Sequence, residues 1–135
     1  MKFKKKKKGE IKMHQVFEDS LSMILAHEDE REFMGRVAYV PLSENLKAKI
    51  FFATTTTHEV YDSVKIELIN KKEGIVDTLV LRLGEICGLI NIGGQKQNPH
   101  IWRYGSDEPF EWYGKKPDLS LIRKEVDKYF EFWRN

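Results

Sequence analysis

The stretch Ser63-Val64-Lys65-Ile66-Glu67-Leu68-Ile69-Asn70-Lys71-Lys72-Glu73-Gly74-Ile75-Val76-Asp77-Thr78-Leu79-Val80-Leu81-Arg82-Leu83 decides the fold. Val64, Ile66 and Leu68 fall on one parity, with Ser63, Lys65 and Glu67 on the other, the period of a half-buried strand. Asn70 to Gly74 then supplies turn chemistry, with glycine free to take a positive φ. On the return, Ile75, Leu79, Leu81 and Leu83 share one parity, and Thr78, Val80 and Arg82 the other. This is a long antiparallel hairpin with one greasy side, and that side has to be covered.

Upstream, Leu46, Ala48, Ile50 and Phe52 alternate with Lys47 and Lys49, a third strand of the same kind. The β-branched run Thr54–Thr57 is expected to extend it into a loop. Val37 and Tyr39 are expected to share one face of another strand, with Pro41 and Ser43–Asn45 forming its turn. Further back the period lengthens. Met13, Val16, Phe17, Leu21, Ile24 and Leu25 make a helical stripe, with Glu18 and Asp19 in the early turns. The expected helix runs over residues 13–33 and stops near Gly35, with Leu21–Leu25 as a short strand the competing reading.

Downstream, Leu89–Ile92 reads as a short strand and Gly93–Pro99 as loop. The aromatic run from Trp102 to Tyr113 reads as two short strands joined by Gly105–Pro109. Pro117-Asp118 opens a final helix, Asp118 being its N-cap. Leu119, Ile122, Val126, Tyr129, Phe130 and Trp133 form its apolar stripe, and Arg123 and Asp127 are spaced to pair at i,i+4. Strands linked by short turns, then a helix, define an α+β class. The expectation is a meander-like antiparallel sheet of about five to six strands, covered by the C-terminal helix and an N-terminal one. No internal repeat is present, so residues 13–135 read as a single domain.

The net charge of +2 is unevenly spread. Residues 1–12 hold seven lysines and Glu10, a net +6, which leaves −4 on the remainder. The block Lys4, Lys5, Lys6, Lys7, Lys8 repels itself and is expected to be a disordered basic tail. Such a tail attracts phosphates. A second reading stays open beside this one: codons for Lys8-Gly9-Glu10 are able to spell a purine-rich ribosome-binding site, which would make residues 1–12 a translated leader and Met13 the start. No stretch approaches the roughly 20 apolar residues of a membrane span. The single Cys87 excludes an internal disulfide, and a reducing, cytoplasmic setting is the expectation.

Chemistry-bearing patterns are sparse. His58-Glu59 opens like a metalloprotease helix, but position 62 is Asp62 and the second imidazole is missing. The four histidines, His14, His27, His58 and His100, show no ligand spacing, and no cofactor is implied. Cys87 lies between apolar neighbours and reads as a core residue. Gly93-Gly94 lacks the lysine and hydroxyl residue of a phosphate loop. Asp107, Glu108 and Glu111 read as an exposed acidic turn. The aromatic cluster Trp102, Tyr104, Phe110, Trp112 and Tyr113, interleaved with Arg103, Lys115 and Lys116, carries the most content. Phe110 and Trp112 share a face, so Tyr113 and Glu111 point the other way. Arg103, Tyr113, Lys115 and Lys116 are therefore the expected partner-contact residues.

The stretch Tyr61–Ile86, followed by His100-Ile101-Trp102 and Glu111-Trp112-Tyr113 ahead of the last helix, resembles small proteins carried on bacterial mobile genetic elements. No activity and no site residue come with that resemblance. It implies an accessory protein that meets host machinery. The leading expectation is a non-enzymatic protein-binding protein, in one version an inhibitor of host machinery. One alternative is a nucleic-acid binder using Lys4–Lys8 and exposed aromatics; another is a small enzyme with a pocket around Cys87 or Glu111.

Overall fold

The computed structural model describes residues 14–56, 59–103 and 110–135. The lysine block, residues 1–12 as a whole, His58, Tyr104 and the acidic Gly105–Pro109 turn lie outside the described residues.

Helix α1 covers residues 14–24 and buries Phe17, Leu21 and Ile24, with Leu25 following. It ends well before residue 33, because the charged stretch after it is spent on capping. The Arg31 guanidinium donates to the carbonyls of Leu25 and Glu28, at 3.1 and 2.6 Å. Those bonds pin the turn that follows the helix, where the Leu25 carbonyl also accepts the Glu28 amide at 2.9 Å. Glu28 in turn accepts both terminal nitrogens of Arg134, at 3.1 and 2.8 Å.

Strands β1 (Glu32–Met34), β2 (Val37–Ser43), β3 (Leu46–Ala53), β5 (Ser63–Asn70) and β6 (Gly74–Arg82) form one antiparallel sheet in the order β1-β2-β3-β5-β6. It is a meander broken only by β4 (Val60–Tyr61), which leaves for a second sheet. The hairpin alternation holds: Val64, Ile66 and Leu68 of β5 are fully buried, as are Ala48 and Ile50 of β3. In β2 the inner side is Ala38, Val40 and Leu42; Val37 and Tyr39 share a face, but it is the outer one. Pro41 sits inside this strand rather than in a turn, opposite Lys47 of β3, at a level β1 does not reach and beside a bulge, the kind of place where strands tolerate proline. In β6 a bulge opposite Leu68 and Ile69 puts Ile75 on the outer side, where it is 58% exposed.

Helix α2 (Leu83–Cys87) follows β6 directly, so Leu83 opens a helix instead of ending a strand. Strand β7 (Ile90–Ile92) is the short strand expected there, and it forms a tight hairpin with β8 (Gln95–Gln97), which lies in the stretch expected to be loop. Its two-residue turn places Gly93 at φ 59° and Gly94 at φ 83°, the mirror-image turn that matches strand twist. Strands β9 (His100–Arg103) and β10 (Phe110–Tyr113) pair antiparallel and add β4 on the far side, in the order β10-β9-β4.

Helix α3 (Ser120–Arg134) lays Ile122, Val126 and Phe130 on the core beside Leu119. The Asp118 carboxylate accepts the Ser120 amide and hydroxyl, at 3.1 and 2.6 Å, one residue ahead of the regular helix. Those bonds hold the Asp118 carboxyl below the usual aspartate range. Arg123 and Asp127 do not pair. Arg123 donates through Nε to the Met23 carbonyl at 2.8 Å, and Asp127 meets His27 at 3.2 Å. Both side chains thus clamp the end of α1 to α3. Helices α1 and α3 share one core with the inner side of the large sheet, and each aliphatic or Phe side chain buried there contributes about 1.5–3 kcal/mol.

Candidate functional site

The small sheet has two unlike sides, set by its register. Phe110 faces Arg103, Glu111 faces Trp102, Trp112 faces Ile101 and Tyr113 faces His100, while Val60 lies opposite Trp102 and Tyr61 opposite Ile101. Tyr61, Ile101, Phe110 and Trp112 therefore point to the core. Phe17 packs edge-on against Phe110 and Tyr61, at 4.9 and 5.4 Å between centroids, and the Trp112 indole donates to the Ser20 hydroxyl at 3.2 Å. Val60, His100, Trp102, Glu111 and Tyr113 fall on the other side.

There the rings form a platform. Tyr113 stacks on His100 with centroids 5.2 Å apart and planes 16° from parallel, and Trp102 leans on both, at 5.9 and 6.5 Å. Near-parallel stacking holds the rings in a fixed plane. His100 is 6% exposed, and its Nδ1 lies 2.8 Å from the Asn98 carbonyl. A carbonyl only accepts, so Nδ1 carries the proton and Nε2 of a neutral ring is an acceptor. Tyr113 is 37% exposed.

The platform floors a cleft of about 730 Å³, whose walls come from Thr56 in the segment after β3, the start of β4 and the β7–β8 hairpin. Thr56, Glu59, Leu89, Lys96 and Gln97 line those walls. Cleft size, aromatic lining and a few polar groups of both signs are what ligand and peptide sites share.

One wall is held by Asp62, which is 2% exposed. Its carboxylate accepts the Thr55 amide at 2.9 Å, the Thr55 hydroxyl at 2.7 Å and the Thr56 and Ser63 hydroxyls at 3.4 and 3.3 Å. Its backbone bonds the Ala53 carbonyl and the Leu83 amide, at 3.1 and 3.0 Å. β3 thus ends at Ala53, and Thr55 and Thr56 beyond it turn back to donate to a buried acid. The cue in the sequence was hydroxyl donors seven and six residues ahead of an aspartate flanked by Tyr61 and the alternating strand that starts at Ser63.

The expected contact residues separate. Tyr113 lies on the cleft floor. Arg103 is on the opposite parity, its guanidinium 5.9 Å from the Phe110 ring. Lys115 and Lys116 are exposed beyond Gly114, and Lys116 Nζ reaches the Met23 sulfur at 3.3 Å. Trp102 of the aromatic cluster, together with His100, Glu59 and Lys96, also lines the cleft but was not among the expected contact residues, because the pairing of β9 with β4 and the approach of the β7–β8 hairpin are invisible in a linear pattern.

Cys87 is half-buried, away from the cleft, with its Sγ 3.5 Å from the Asp118 carbonyl. Burial pushes its thiol pKa up, and the Asp118 charge adds to that, the reverse of what a nucleophile needs. Glu111 is exposed on the platform side. Among the described residues no group of three or more His, Cys, Asp or Glu side chains is placed to hold a metal ion. No helix among them is long and apolar enough to cross a membrane.

A second surface is the outer side of the large sheet, which carries Tyr39 and Phe51 among lysines. Lys47 lies 5.1 Å from the Tyr39 ring centre and Lys49 5.3 Å from that of Phe51. Lys65 stands opposite Phe51, and Glu67 lies 4.0 and 3.7 Å from Lys49 and Lys65.

Fold and site together define an α+β protein with an aromatic-floored cleft on the outer side of its small sheet. No family model, no curated protein and no solved structure matches the chain.

Proposed function

We propose that the chain is a non-enzymatic binding protein that engages a protein partner through the cleft floored by His100, Trp102 and Tyr113. The observation that carries this reading is the stacked Tyr113–His100 pair beside Trp102, on a sheet side turned away from the core. Tyrosine and tryptophan are the residues that dominate binding energy at protein interfaces, because they bring large area at small entropic cost. The cleft walls offer charge of both signs through Glu59 and Lys96, which suits a polypeptide better than a polyanion. The half-buried thiol of Cys87, with its raised pKa, supports binding over covalent chemistry. In the finer version, the partner belongs to host machinery and the chain to a mobile element. The test is capture of a partner from bacterial lysate with the full chain and with Trp102→Ala and Tyr113→Ala. A partner retained by the wild type and released by both variants supports the reading; one retained equally by all three removes the cleft from it.

The outer sheet side favours a second reading, nucleic-acid binding. Tyr39 and Phe51 there are spaced among Lys47, Lys49 and Lys65, the mixture of rings and cations that holds single strands. Anisotropy of a labelled single-stranded oligonucleotide should then show affinity falling steeply with salt, and falling again when Lys4–Lys8 are removed. Salt-insensitive binding, or none, rejects it.

A further inference from the structure

The β7–β8 hairpin turns one strand toward the cleft and the other away. The Ile90 side chain of β7 comes within contact reach of Gly114, just past β10. β8 gives Lys96 and Gln97 to the cleft, whereas no residue of β7 lines it, among the described residues. Successive residues of a strand point to opposite faces, so a cleft lined by both Lys96 and Gln97 meets β8 edge-on. β8 has a strand neighbour on one side only, among the described residues. Its open edge is therefore a wall of the cleft, beside the rings of Trp102 and Tyr113.

The register fixes which backbone groups that edge presents. Gly93 and Gly94 form the mirror-image turn, in which the flanking residues Ile92 and Gln95 exchange both backbone hydrogen bonds. Hydrogen-bonded and non-hydrogen-bonded pairs alternate along an antiparallel ladder. Ile90 and Gln97 therefore exchange bonds too, and the Asn91–Lys96 pair between them does not. The N–H and C=O of Lys96 thus point away from β7, toward the cleft.

We infer that the partner enters the cleft as an extended segment that pairs with β8, exchanging two backbone hydrogen bonds with Lys96 and laying alternate side chains on Trp102 and Tyr113. Resting on the cleft as the partner site, this pairing specifies what the partner presents there. A donor and an acceptor on one residue of a strand edge match the backbone of another strand, which is how sheet edges take up peptides. The charges agree. Lys96 on one wall and Glu59 on another make no field of one sign for a polyanion, and they complement a segment carrying both signs. Parity adds selectivity, because every second side chain of an extended segment falls on the aromatic floor.

The probe is a phage-displayed library of random linear peptides, panned on the full chain. Enriched peptides are expected to carry aromatic or large apolar residues at every second position and to lose binding with Trp102→Ala. Lys96→Ala keeps the backbone and is expected to bind them nearly as well as the wild type. Lys96→Pro removes the outward N–H but no bond of the hairpin, and is expected to weaken binding by about tenfold, the loss of one hydrogen bond. Amide hydrogen exchange gives a second readout. A bound peptide is expected to slow the Lys96 amide, while Gln95 and Gln97, already bonded to β7, change far less. Should Lys96→Pro alter the circular dichroism spectrum, the exchange measurement decides. Peptides that bind Lys96→Pro as tightly as the wild type and leave the Lys96 amide unslowed overturn the pairing, and the cleft survives as the partner site if Trp102→Ala still releases them. Peptides indifferent to Trp102→Ala fail the cleft itself. A library that yields no binder overturns the pairing as well, and self-association that Trp102→Ala abolishes puts a second copy in the cleft instead.

Discussion

Thr55 gives both its amide and its hydroxyl to the Asp62 carboxylate, at 2.9 and 2.7 Å, and so folds the end of β3 back over the start of β5. Asp62 and the Ser63 donor are buried while Thr55 and Thr56 are exposed, so removing the acceptor loses charge-assisted bonds but leaves the threonine donors within reach of water. Asp62→Ala is expected to cost about 1.5–3 kcal/mol, the range for hydrogen bonds to a charged group, and Asp62→Asn less. Urea unfolding monitored by tryptophan fluorescence measures both.

Gly84 occupies the point where α2 meets the β8–β9 connection. A Cβ there would stand 1.8 Å from the Asn98 Oδ1 and 2.7 Å from a Leu89 methyl. Helix propensity alone would favour alanine over glycine by about 1 kcal/mol. Overpacking outweighs it, so Gly84→Ala is expected to destabilise by about 1–3 kcal/mol. Because Asn98 is the main obstacle, Asn98→Ala should recover part of that loss in the double variant. A thermal-melt double-mutant cycle reads the coupling.

Tyr129 reports on the alkaline limb. Burial first, and then its hydrogen bond to Asp77, raise its pKa above the ordinary tyrosine value of about 10. The folded state therefore holds the phenolic proton more tightly than the unfolded one. That contribution to stability is whole below about pH 10 and is lost as pH rises through the raised value. Tyr129→Phe is expected to flatten the fall in stability above pH 10, seen in urea midpoints across pH.

Cys87 is expected to react slowly with iodoacetamide at neutral pH in the folded chain and at an ordinary thiol rate once unfolded. Its raised pKa keeps the thiolate scarce. A native rate matching or exceeding the unfolded one would reopen the enzymatic alternative.

Much of the large sheet was legible because long alternation survives context: β3, β5 and the Leu79–Leu81 part of β6 were readable, and so was the stripe of α3, while the bulge that turns Ile75 outward and the helix that starts at Leu83 were not. In β2 the shared face of Val37 and Tyr39 was legible but not which side it takes, since the inner row holds small Ala38 beside Val40 while the larger Tyr39 sits outside among lysines. The end of α1 was hidden in the same way. Nothing in a linear pattern tells that Arg31 caps Leu25 or that Glu28 waits for Arg134, 106 positions away. The cleft was half legible. Parity along β10 separated Tyr113 from Trp112, but the floor needed the pairing of β9 with β10 and β4, which is long-range.

Binding of the captured partner to Trp102→Ala and Tyr113→Ala, each checked for an unchanged circular dichroism spectrum, tests the central claim most directly. Each variant is expected to weaken affinity by about 2 kcal/mol or more, roughly thirtyfold, as interface aromatic anchors do. Folded variants that bind as tightly as the wild type would contradict it.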